Sequence, residues 1–160
     1  MLYLSLKLIH VIAVILFLGN IITGLFWKMH ADQTRDPRMI AHAFEGIIRS
    51  DRWFTVPGVI AILVAGFATA VIGAFPILGT GWILWSIVLF SISGLVFGLR
   101  VAPLQVRLAR LARESAEQGQ FDWEQYQKLA HSWELWGLLA LLTPVGAVIL
   151  MVLKPSLPAF

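Results

Sequence analysis

Four long apolar stretches dominate this chain: Leu2–Trp27, Trp53 to about Leu78, about Gly81 to Val101, and Trp133–Leu153. Each is long enough to cross a hydrocarbon core of about 30 Å as a helix. The apolar residues fall in long blocks, without the spacing that would leave one side of a helix or strand facing water. Hydrophobic residues make up 59% of the chain and charged residues 13%, where a soluble domain carries about a quarter charged. The pattern predicts an all-α, four-transmembrane-helix bundle, with residues 1–160 forming one integral membrane domain in a lipid bilayer.

The basic residues set the expected orientation. Lys28, Arg35, Arg38, Arg49 and Arg52 follow the first stretch, and Arg107, Arg110, Arg113 and Lys128 follow the third, with Arg100 at its edge. The link Leu78–Gly81 carries none, and the terminal segments offer Lys7 and Lys154. By the positive-inside rule both long loops belong in the cytoplasm, and both termini in the periplasm of a bacterial inner membrane. Trp27, Trp53, Trp133 and Trp136 would mark the inner interface, and Tyr3, Trp82 and Trp85 the outer one. A net charge of +3 placed in these loops is a topology signal and a contact for anionic lipid, and no nucleic-acid partner is expected. With no cysteine, disulfides, thiolate metal sites and cysteine nucleophiles are excluded. Leu2–Trp27 ends in Phe26-Trp27-Lys28 without a small-x-small cleavage site, so it is expected to be retained.

The loops carry helix signals of their own. Asp36-Pro37 is an N-cap followed by proline at the first helical position. Ile40, Ala43, Phe44, Ile47 and Ile48 then recur on one face opposite Arg38, Glu45 and Arg49, as in an amphipathic helix at the inner membrane surface. Leu104, Leu108 and Leu111 extend the third span into the cytoplasm until Gly119. Asp122 caps a helix that runs on into the fourth span, with Phe121 and Tyr126 placed as a hydrophobic staple. The two extensions would form a cytoplasmic helical hairpin.

The short link requires spans two and three to be antiparallel. Ala61, Ala65, Thr69 and Gly73 form a small-residue row on span two, and Gly94 and Gly98 one on span three, so a close approach of these two is expected. Pro57 lies in the first turn of span two. Pro144 interrupts span four and should free the carbonyl of Ala140 for a neighbour, water or Thr143.

KLIHVIAVILFLGN in span one, SDRWFTVPG entering span two and the closing ILMVLKP resemble a family of bacterial predicted integral membrane proteins known only as a domain of unknown function. The likeness covers nearly the whole chain and implies its architecture. Span one alone, with a histidine one-third of the way in, then Gly19-Asn20 and aromatics, is similar to CopD-type copper-resistance membrane proteins and HemJ-type protoporphyrinogen oxidases. That likeness implies a ligand-bearing role for His10, toward haem b or copper.

Ionisable groups inside spans are functional candidates because they cost a few kcal/mol at mid-depth. His10 is either a neutral histidine hydrogen-bonded to a neighbouring helix or an axial or metal ligand, with Lys7 snorkelling to the outer surface. If spans one and four are neighbours, Met151 could complete an imidazole–thioether pair suited to haem iron or cuprous copper. His42-Ala-Phe-Glu45 and His131-Ser-Trp-Glu134 both read H-x-x-E, which places a nitrogen and a carboxylate on one helix face for a metal ion. Alternatively these are solvated helix edges, with Arg49 pairing Glu45. Asp51, Arg49, Arg52 and Arg100 would form a structural ion-pair network or, on a sharper reading, an anion or lipid-headgroup site. No Ser/His/Asp triad, carboxylate pair or phosphate loop is present.

Three functional classes emerge: a redox or metal-handling protein binding haem b or copper through His10, an accessory subunit packing against a membrane partner, and a small-solute permease component acting as a homo-oligomer.

Overall fold

The computed structural model describes residues 1–160. Every element is helical: α1 (Leu2–Thr34), α2 (Pro37–Ser50), α3 (Val56–Ile72), α4 (Gly81–Val96), α5 (Ala102–Gln118) and α6 (Trp123–Leu153). Between α2 and α3, and again between α4 and α5, the helix does not break but widens into a π turn, Asp51–Thr55 and Phe97–Val101. In each the backbone N–H reaches five residues back, Val56 to Asp51 and Ala102 to Phe97. A proline follows immediately in both, Pro57 and Pro103. Proline brings no N–H and its ring crowds the carbonyl four residues earlier. Widening the turn just before it relieves that crowding while the helix continues. The chain therefore makes four long apolar helices, Leu2–Thr34, Pro37–Ile72, Gly81–Gln118 and Trp123–Leu153.

The π turns are also where the long helices change partner. At one end of the molecule, which carries the α1–α2 and α5–α6 connections, α2 packs on α5. Beyond the turns α3 packs on α1 and α4 packs on α6. The result is two helix pairs joined across their polar end. Ile40, Phe44, Leu108, Ala112 and Tyr126 are fully buried there, within a core that also takes in Ala31, Ile47 and Trp133. A smaller cluster, Ala13, Phe17 and Ile62, seals α1 to α3, and the Phe17 and Phe90 rings meet at 5.6 Å to link the two pairs.

Local signals act as expected. Asp36 accepts from the backbone N–H of Arg38 at 2.8 Å with Pro37 at the start of α2, and Asp122 accepts from that of Gln125 at 3.0 Å. Phe121 and Tyr126 meet with ring centroids 5.5 Å apart, tilted across the cap. Gly119 ends α5 in the left-handed conformation.

Three expectations are revised. The amphipathic helix is present, but its apolar face (Ile40, Phe44 and Ile47) is covered by protein, because α5 lies against it. Trp133 is likewise buried, its ring against Phe44 at 5.6 Å, and marks no interface. The close helix approach is not between spans two and three. Gly58 and Gly66 of α3 face Phe17 and His10 of α1, whereas a Cβ at Gly94 or Gly98 would meet nothing within 4 Å.

At the opposite end the segment after α6 folds back over the α3–α4 link. Phe160 N–H donates to the Leu78 carbonyl at 3.1 Å, and the Trp85 indole donates to that of Pro158 at 3.1 Å. A side chain at Gly81 would collide with the Leu157 carbonyl.

Candidate functional site

Polar residues of α1 share one stripe. His10, Asn20 and Lys28 recur with Ala13, Phe17, Gly24 and Ala31 at spacings of three and four, and this is the face that the helix turns inward. Each of the three polar groups meets a different part of the bundle.

His10 faces α3. Its Nδ1 lies 2.9 Å from the carbonyl oxygen of Ile62, and its ring occupies the space above Gly66, where a Cβ would stand 2.9 Å from Cε1. A carbonyl can only accept, so Nδ1 carries a proton, and in the neutral imidazole that tautomer keeps the lone pair on Nε2. Nothing in the chain donates to that lone pair. Met151 is half-buried on α6, whose main partner is α4.

Asn20 faces the first π turn. Its amide donates to Asp51 Oδ1 at 3.1 Å and to Thr55 Oγ1 at 2.9 Å. Thr55 donates to the same carboxylate oxygen at 2.7 Å, and Gln105 from α5 donates to Oδ2 at 3.1 Å. Asp51 is 8% exposed and Thr55 and Gln105 are each 4% exposed. The expected ion-pair network is absent, because Arg49, Arg52 and Arg100 point outward while the carboxylate points in. Arg100 instead lies over the Trp136 ring at 5.3 Å.

Lys28 is 1% exposed, buried at the polar end among α1 and α6 side chains. Its ammonium pairs with Asp32 at 2.6 Å and with Glu134. Asp32 in turn accepts from the Tyr126 hydroxyl. Tyr126 precedes the apolar stretch of α6 that opens at Trp133. Burial, with Asp32 accepting its hydrogen bond, pushes its phenol far above the usual range, so it stays a donor. One buried cation thus holds two carboxylates from different helices.

The two H-x-x-E pairs are placed accordingly. Glu134 is taken by Lys28 while His131 is exposed, and Glu45 is paired with Arg113 of α5 and not with Arg49. His42 lines an open polar groove between α2 and α5 together with Arg38, Arg113 and Glu117. No group of three or more His, Asp or Glu side chains comes together. Sequence reasoning did not pair Lys28 with Asp32 or group Asn20, Thr55 and Gln105. The inward stripe of α1 was the available signal for Asn20 and Lys28.

These features, four apolar helices with polar groups turned inward, agree with a family model described as a predicted integral membrane protein (DUF2269), which matches residues 4–155. The chain belongs to this family. As a DUF2269 member it is an integral membrane protein with four apolar helices suited to a lipid bilayer. No curated protein and no solved structure gives a match.

Proposed function

We propose that the protein is a redox or metal-handling membrane protein in which His10 ligates haem b or copper. The observation that carries this reading is the orientation of the imidazole. Ile62 holds Nδ1–H at 2.9 Å, fixing the tautomer and leaving Nε2 as an unpartnered lone pair in an apolar setting. A metal-binding histidine is prepared in the same way, one ring nitrogen tied to a carbonyl and the other presented to the ion. An imidazole acceptor surrounded by hydrocarbon otherwise forgoes a hydrogen bond. His10 supplies one donor, and the Met151 thioether on α6 is the candidate for the second. When bound, haem or copper would supply one-electron chemistry. The chain's part is to hold and orient the ligating nitrogen.

The same reading puts the protein in a bacterial inner membrane, with the polar end cytoplasmic and both termini and the Gly79–Gly81 link periplasmic. The distribution of Lys and Arg between the loops supports it.

An accessory subunit is the second reading, favoured by Gly94 on α4 and Gly98 in the π turn after it, which lie open where another helix could approach closely. A permease component is the third. Absorption spectra and metal analysis of the detergent-purified protein decide between them, followed by titration of wild type and His10→Ala with haem and, separately, with Cu(I). Binding lost in His10→Ala supports ligation. Equal binding by both, or none by either, rejects it and leaves the accessory and permease readings.

A further inference from the structure

The carboxylate of Asp51 is the only acidic group in the structure that is buried without a cation. Lys28 is committed to Asp32 and Glu134, and Arg113 to Glu45, while no Lys or Arg pairs with Asp51. Its neighbours come from three elements, Asn20 from α1, Thr55 from its own π turn and Gln105 from α5, and all are neutral. A single buried negative charge in a low-dielectric setting is costly unless it is compensated.

We propose that Asp51, Asn20, Thr55 and Gln105 form a binding site for one monovalent alkali cation of the sodium class. The oxygens this cluster can offer are two from the carboxylate, one hydroxyl and, once Asn20 and Gln105 turn their amides over, one from each amide. That set selects hard cations. Charge selects a monovalent ion, because one positive charge neutralises Asp51 and two would leave a buried excess. In the structure Asn20 and Gln105 turn their NH2 groups to the carboxylate. A half-turn of each amide presents its oxygen instead, and Thr55 can rotate its hydroxyl to offer a lone pair. The cluster can therefore satisfy either a bare carboxylate or a carboxylate holding a cation.

An i→i−5 turn leaves one carbonyl without an α-helical donor, and Pro57 lacks the N–H that would serve another. The π turn that bears Asp51 and Thr55 thus leaves two carbonyls without an α-helical donor. This inference is independent of His10.

The test uses the full-length protein in detergent, with its melting temperature followed as NaCl, LiCl or KCl replaces choline chloride at constant ionic strength. Wild type should show a saturable rise with Na+ or Li+, as expected when an ion binds the folded state. Asp51→Asn should abolish the rise. Thr55→Val keeps the charge and removes one oxygen, and should shift the half-saturating concentration about tenfold upward. No alkali-cation response in wild type, an equal response in Asp51→Asn, or a response to pH alone would overturn the site. Should Asp51→Asn not fold, an unchanged midpoint in Thr55→Val overturns it.

Discussion

Ser93 donates its hydroxyl to the carbonyl of Ala140 at 2.6 Å, across the α4–α6 interface. That carbonyl is the one Pro144 leaves without its helical N–H partner. The proline's cost in α6 is thus met by a serine on another helix, and the two residues are energetically linked although they do not share a chain segment.

Ser93→Ala should lower stability by about 0.5–2 kcal/mol in the wild-type background. In a Pro144→Ala background position 144 regains an N–H for Ala140, so the same substitution should cost clearly less. A double-mutant cycle on unfolding in detergent measures the difference. Additive effects would mean that the hydroxyl and the proline act separately.

Lys28→Ala should be among the more damaging substitutions in the molecule. It removes the one cation between Asp32 and Glu134 and leaves two carboxylates on facing helices. Breaking a buried pair costs about 3–5 kcal/mol, and the lower end applies here because Glu134 remains partly exposed. Adding Asp32→Asn and Glu134→Gln should restore part of the loss. Thermal unfolding of the single and triple variants is the measurement.

Gly66→Ala tests how His10 is held. The new methyl would stand 2.9–3.0 Å from the ring, so the imidazole must move off the Ile62 carbonyl. If His10 ligates a metal, binding in the titration described above should weaken, whereas Gly19→Ala, which meets nothing within 4 Å, should leave it unchanged. Equal affinities in the two variants would show that ring orientation is unimportant.

Orientation in the bilayer is checked with single cysteines, since the chain has none. Gln120 lies exposed at the turn between α5 and α6, and Ser156 lies exposed after α6. In intact cells an impermeant thiol reagent should label Ser156→Cys and spare Gln120→Cys. The reverse pattern would invert the assignment.

The spans, the caps at Asp36 and Asp122, the Gly119 stop and the carbonyl freed by Pro144 were all legible in the sequence, because each rests on residues within a few positions of one another. The buried polar groups were not. Asn20 meets Asp51 and Thr55 from 31 and 35 residues away, and Gln105 meets Asp51 from 54. Lys28 reads as one more positive-inside charge until α1 is seen to continue to Thr34 and carry Asp32 one turn later. Partner choice was equally hidden. Small residues show where a backbone can approach, and Gly58 and Gly66 do so, but nothing local says that the approach is to α1.

A π turn amounts to one residue inserted into an α-helix, and its effect is a change of phase. Each α-helical residue advances the helix by about 100°. Deleting a single residue from Asp51–Thr55 would turn α2 by about that angle relative to α3. Ile40, Phe44 and Ile47 would swing off α5 even though every apolar residue of the span stayed in place. The membrane half and the polar half of this molecule are therefore locked in register by chain length. One-residue insertions and deletions at positions 51–55 and 97–101 should be far less tolerated than substitutions there.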